Sequence, residues 1–139
     1  MEPRDGVEIE ARLPALMEIF YERVRRDPQL GPVFEAAIDD WPRHLQLLAD
    51  FWSSVALTTG RYKGHPMQAH LKHQAAITPE MFDRWLALWH EATDEMLSPT
   101  AAALLQEKAA RIARSLNLAL TFRLTAATDG PSDKKPLAA

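Results

Sequence analysis

Cysteine is absent from this 139-residue chain, which excludes disulfides, thiolate metal sites and thiol chemistry together. A basic field is missing too. The 16 Lys and Arg against 19 Asp and Glu leave a net charge of -3, and the basic residues are scattered. Nucleic acid is therefore not an expected partner. No segment approaches the ~18 uninterrupted apolar residues of a membrane-spanning helix. Met1 to Glu10 carries Glu2, Asp5, Glu8 and Glu10 and no apolar run, unlike a secretory leader, and a cytoplasmic monomer is the expectation. Neither period-two alternation nor an internal repeat is found. What is present, 47% hydrophobic and 25% charged residues, is ordinary for one globular domain.

The periodicity is helical throughout. Ile9, Leu13, Leu16, Phe20 and Val24 form one apolar stripe. Because proline is tolerated at a helix start, Pro14 places the regular part of this helix from about Leu13, and Asp27-Pro28 ends it. A tight corner at Leu30-Gly31-Pro32 and a short turn through Ile38 follow. A second long helix is expected from Trp41-Pro42 to Gly60, with Gly60 as its C-terminal cap. Its inner face is read as Leu48, Trp52, Val55 and Ala56, with Leu47 and Phe51 flanking. Pro66 opens a short helical piece carrying His70. Thr78-Pro79-Glu80 has the hydroxyl, proline and acid of a helix start, and Phe82, Trp85 and Trp89 share a face of that helix. Ser98-Pro99 opens a last helix to about Leu124, striped by Leu105, Ile112, Leu116 and Ala119. The domain is set at residues 1–126, with 127–139 a disordered tail by composition.

A helical domain with an irregular middle is either a plain bundle or a globin-like sandwich around a flat apolar cofactor. Haem needs an axial imidazole, an aromatic and aliphatic slot, and polar groups over the open face of the iron. His70, three residues after Met67, offers the imidazole. Tyr21, His44 and Trp85 offer donor hydrogens: phenol, imidazole and indole. Each has a plain structural reading as well. Tyr21 suits a core edge, Trp85 a packed face, Met67 a gap in the core, and His70 a surface position. His65, His70 and His73 together form a competing cluster of transition-metal spacing, without a carboxylate in the stretch. His90 falls on the polar face of its helix.

Several blocks carry a family resemblance. Phe20-Tyr21-Glu22-Arg23-Val24-Arg25 and Asp27-Pro28-Gln29-Leu30-Gly31-Pro32-Val33-Phe34 open it. Trp41-Pro42-Arg43-His44-Leu45, Phe51-Trp52, Gly60-Arg61-Tyr62-Lys63-Gly64, Pro66-Met67 and Ala69-His70 continue it. Phe82-Asp83-Arg84-Trp85-Leu86-Ala87-Leu88 and Arg111-Ile112-Ala113-Arg114-Ser115-Leu116 complete it. These resemble the group III truncated haemoglobins of bacteria over about residues 13–120. The lack of any Gly-Gly pair fits that group rather than the other two. The resemblance implies an all-α, truncated two-over-two globin sandwich holding haem b, with His70 as axial iron ligand. It places Tyr21, His44 and Trp85 on the distal side, Phe34 on the porphyrin, and Phe20, Leu48, Trp52, Met67, Phe82 and Ile112 around the cofactor.

Two departures stand out. Lys72-His73-Gln74 replaces a Leu-Pro stretch common in the family, making His73 a rival ligand or propionate partner beside Arg43, Arg61, Tyr62 and Lys63. Trp89 occupies a position where a smaller aromatic is common, and either narrows the pocket or fills the core. The expected function is binding of O2, CO, NO or peroxide, served by a reductase the sequence does not identify. NO dioxygenase or weak peroxidase chemistry is the enzymatic variant. A cofactor-free helical interaction domain and a histidine-cluster metal binder are the alternatives.

Overall fold

The protein, seen in a computed structural model, is described over residues 3–62, 64 and 77–129, with side chains as far as 120. Its helices are α1 (Pro3–Arg26), α2 (Gly31–Ala37), α3 (Trp41–Leu57), α4 (Pro79–Met96) and α5 (Pro99–Asp129), and no strand occurs among the described residues. Helix α1 packs on α3 and α4 on α5. The two pairs meet through α1 against α4, and α2 closes on α1. The short helical piece expected from Pro66, with Met67, His65, His70 and His73, lies outside the described residues, as do 130–139.

Helix α1 corrects the expected start near Leu13: it begins at Pro3 and runs straight through Pro14. An interior proline removes one backbone hydrogen bond and costs about 3 kcal/mol. Ile9, Leu13, Leu16, Met17, Phe20, Tyr21 and Val24 are all buried along the same helix, at roughly 1.5–3 kcal/mol for each large side chain. The continuous apolar face outweighs the break. Glu8, in the added first half, accepts hydrogen bonds from the Ser98 backbone N–H and hydroxyl, both at 2.7 Å. The N-terminal turns are thereby tied to the start of α5.

The corner after α1 depends on one glycine. A Cβ on Gly31 would lie 2.5 Å from the Arg25 carbonyl oxygen, so any side chain there would force α1 and α2 apart. Helix α3 is capped at its start by Asp40, which accepts from the Arg43 N–H at 3.2 Å. Its end is a second correction. The helix stops at Leu57, and Thr58, not Gly60, takes the left-handed cap position at φ 57°. This conformation costs a non-glycine residue of order 1–3 kcal/mol. Bonds from the Thr58 N–H to Ser54 O (3.0 Å) and from its hydroxyl to Leu57 O (2.6 Å) offset it. Gly60 then turns the chain at φ 74°.

On the inner face of α3, Trp52, Ser53 and Ala56 are buried while Leu48 and Val55 are half-buried and Leu47 is exposed. Thr78 sits at the N-cap of α4 as expected, but its hydroxyl makes no capping bond. On α5 the deepest line runs Ala101, Ala102, Leu105, Ala109, Ala113, Leu116 and Leu120, with Ile112 and Ala119 half-buried beside it. Small residues let α4 come close, and Trp89 fills the seam. Trp89 is fully buried and its Nε1–H donates to Leu105 O at 3.1 Å, so of its two expected roles it takes the core one. The last helix continues past Leu124 to Asp129, so the first residues assigned to the tail are helical.

Candidate functional site

The distal candidates converge where α1 crosses α4. Periodicity puts Phe20 on the core stripe of α1, and Tyr21, one residue on, is turned about 100° from it yet is still buried, at 4% exposure. Phe20 packs edge-on against Tyr21, Trp85 and Trp89, at ring separations of 4.7, 5.8 and 4.8 Å. Trp85 stacks parallel to Trp89 at 6.0 Å, and Trp89 stacks on Trp52 at 4.4 Å. Trp85 is therefore the outer end of a column of indoles rooted in the core.

Phe20 lies between Tyr21 and Trp85, and the Trp85 indole N–H acts on the Tyr21 phenol electrostatically. Burial pushes the phenol pKa above its ordinary value, and the Trp85 N–H pulls it only partly back. Tyr21 therefore remains protonated across the physiological range, with its own hydrogen left to donate. Because an indole has only one N–H, a Trp85 engaged with Tyr21 would act through the phenol, a relay in place of the two independent groups the sequence suggested.

Around Tyr21 stand Phe34 (5.7 Å) and Trp41 (6.1 Å), and Trp41 in turn meets His44 edge-on at 5.9 Å. Tyr21, His44 and Trp85 are thus brought into one neighbourhood by α1, α3 and α4, with Trp41 between the first two. Phe34, Leu48, Phe82 and Ile112 are half-buried, whereas Phe20 and Trp52 sit fully in the core. The last two are packing residues behind the site rather than its lining. Leu45, Phe51, Leu86 and Leu104 join the half-buried set. Large apolar side chains stopping half-way out on several helices suit a flat apolar guest better than a closed core.

Trp41 was not singled out from the sequence, and it bears most directly on what fits here. Its Nε1–H is buried with no hydrogen-bond partner among the described residues. Such an orphan costs about 1–3 kcal/mol. Its ring lies beneath the Arg25 guanidinium, 4.5 Å away, and Arg25 is paired to Glu35 at 2.6 Å. A groove lined by Glu18, Tyr21, Glu22, Arg25, Arg26, Glu35, Trp41 and Leu45 opens at this point, its charged residues exposed. Donors and aromatic faces meeting at a half-filled slot fit a porphyrin carrying a small electron-rich ligand. They offer no described set of three or more His, Asp or Glu for a bare metal ion.

The flanks are fixed by ion pairs. Asp27 Oδ1 accepts from the N–H groups of Gln29 (2.9 Å) and Leu30 (3.0 Å), and Oδ2 accepts from Arg84 Nε at 2.5 Å. The residue read from the sequence only as a helix stop also organises the α1–α2 corner. Burial acts to raise the Asp27 pKa, but the Arg84 bond and the two N–H groups outweigh it and hold the carboxyl below the usual range. The stability gained is complete above the unfolded-state pKa and is lost as pH falls through the folded one. Asp27→Asn should thus lower the unfolding free energy from urea titration most at neutral pH, by about 1–3 kcal/mol. The gap should narrow below about pH 4; a gap constant with pH would contradict the assignment. Arg61, one propionate candidate, is paired with Glu10 on α1 and donates to Ser53 Oγ at 3.3 Å. His90 is exposed as expected.

Comparison with known proteins identifies the family. Residues 5–121 match the family model described as bacterial-like globin. A group 3 truncated hemoglobin of Campylobacter jejuni is 35% identical over 102 residues, 70% of this chain and 80% of that protein. A group 2 truncated hemoglobin of Bacillus subtilis is 33% identical over 88 residues, 63% and 66% of the two chains. The crystal structure of the group III truncated hemoglobin from Campylobacter jejuni superposes with a TM-score of 0.72 at 32% identity, covering 80% of this chain and 90% of that one. The chain belongs to the bacterial-like globin family, and within it is similar to the group III truncated haemoglobins.

Proposed function

We propose that this globin holds haem b and retains a diatomic ligand on its distal side, with dioxygen as the principal ligand and CO, NO and peroxide as others. The observation that carries this reading is the meeting of Tyr21, Trp41, His44 and Trp85 around Phe20 and Phe34, with burial keeping the Tyr21 phenol protonated. Haem would supply a coordination position at iron, and His70 is the residue of this chain that would hold it. Tyr21 donates to the electron-rich end of the ligand, and Trp85 polarises and orients that donor. His44 and the unpartnered Trp41 N–H complete a set of polar groups among Phe34, Leu48, Phe82, Met67 and Ile112.

A charge-assisted hydrogen bond is worth about 1.5–3 kcal/mol, so the distal side slows release and disfavours a transport role. Haem peroxidases strengthen the proximal imidazole with a carboxylate. The acids that follow His70 most closely, Glu80 and Asp83, are exposed on α4, which weighs against strong peroxidase activity. NO dioxygenation is the enzymatic chemistry that a slow-releasing pocket favours, with electrons from a separate reductase. No described helix is long and apolar enough to cross a membrane, and a cytoplasmic monomer remains our reading.

The visible spectrum of haem-reconstituted protein tests the proposal in its ferric, dithionite-reduced and carbon monoxide forms. One sharp Soret band per chain, shifting with reduction and carbon monoxide, is the expected result. Absence of stoichiometric haem uptake would leave a helical interaction domain instead.

A further inference from the structure

Helices α1 and α4 are cross-linked by two ion pairs, and they differ in kind. Arg23 to Glu95 (2.5 Å) joins two partly exposed side chains, the sort of surface pair that contributes little. Arg84 to Asp27 ends instead on a carboxylate whose side chain is only 2% exposed. That carboxylate is already held by the N–H groups of Gln29 and Leu30, so Arg84 docks on a fixed acceptor.

Arg84 and Trp85 are adjacent on α4, about 100° apart around its axis. Holding Arg84 on Asp27 sets the rotation of this turn of α4, and with it the face that carries Trp85. Asp27 lies just beyond the end of α1, less than two turns after Tyr21, so the same tie sets α1 against α4 at the level of the phenol. Phe20, packed against both Tyr21 and Trp85, fills the space between but has no polar atom with which to choose an orientation. We propose that the Asp27–Arg84 pair is a positioning device that sets the Trp85 indole against Phe20 on the Tyr21 side of the core and so aims the distal donor. The placement is geometric, and its importance for ligand retention rests on the function proposed above.

The test reads the indole N–H groups by NMR hydrogen exchange in the full chain before haem is added, with Trp85→Phe assigning the signal. In Arg84→Met, exchange at Trp85 should quicken roughly three- to ten-fold, the range of one hydrogen bond's net strength. The Trp89 indole, bonded to Leu105 O, should stay unchanged. Arg84→Lys should restore most of the protection, and Asp27→Asn should reproduce the loss if Arg84→Met folds poorly. Equal acceleration at Trp85 and Trp89 would mean general loosening, and no acceleration at Trp85 would mean an idle ion pair. Either result overturns the proposal. Since the readout needs no haem, a failed haem spectrum and a failed positioning role are separate outcomes.

Discussion

His70→Ala is expected to leave the protein unable to retain haem, with affinity weakened by about a hundred-fold or more, each 1.4 kcal/mol lost being tenfold. The chain has five histidines and no cysteine, so the axial role has few claimants. His90 is exposed on α4, and His44 lies beside Trp41 on the side of Tyr21. His65, His70 and His73 remain, and of these His70 is the one that the family resemblance aligns with the proximal position. The comparison is therefore a set of three alanine variants, measured by Soret absorbance after gel filtration. Loss only in His70→Ala supports the assignment. Loss only in His73→Ala would move the ligand to the residue that replaces the family's Leu-Pro stretch. Exogenous imidazole should partly restore haem binding to the variant that vacates the axial position, a rescue that general misfolding would not show.

Tyr21→Phe should accelerate oxygen release by about ten- to a hundred-fold, the scale of one charge-assisted hydrogen bond of 1.5–3 kcal/mol. Trp85→Phe should have a smaller effect of the same sign, because in the proposed arrangement its N–H acts on the phenol oxygen and not directly on the ligand. The relay makes a further demand. Effects of groups acting through one another do not add, so the double variant should release oxygen about as fast as Tyr21→Phe alone. Stopped-flow displacement of oxygen by carbon monoxide measures all three. Fully additive effects would show that the two side chains reach the ligand independently, as the sequence alone suggested. Equal off-rates in wild type and Tyr21→Phe would remove the phenol from the role.

What the sequence made legible was whatever spacing and family register encode. The amphipathic stripes of α1, α3, α4 and α5 were readable because each buries one face, and the family because its sequence blocks keep their order. Errors arose where long-range packing overruled a local rule. Pro14 looked like a start signal because its cost is local, while the burial of Ile9 and the Glu8–Ser98 contact that keep the helix intact are made with distant residues. Gly60 looked like the cap, but hydrogen bonds at Thr58 chose an earlier stop. The second duty of Asp27 needs Arg84, far along the chain, and no spacing rule joins them. Trp41 passed as the first residue of a helix; only its neighbours Tyr21, His44 and Arg25 show that its N–H is stranded.

The indole column from Trp52 through Trp89 to Trp85 has a consequence for selectivity. A lone tryptophan at a pocket wall can swing aside for a bulky guest, but Trp85 would have to slide off Trp89, which is bonded to Leu105 and clasped by Trp52. The wall is stiff before any guest arrives. Little rotamer entropy is then lost on binding, and little accommodation is available either. In the proposed site such a wall would act as a size filter, favouring two-atom ligands over organic substrates whose fit would need it to yield.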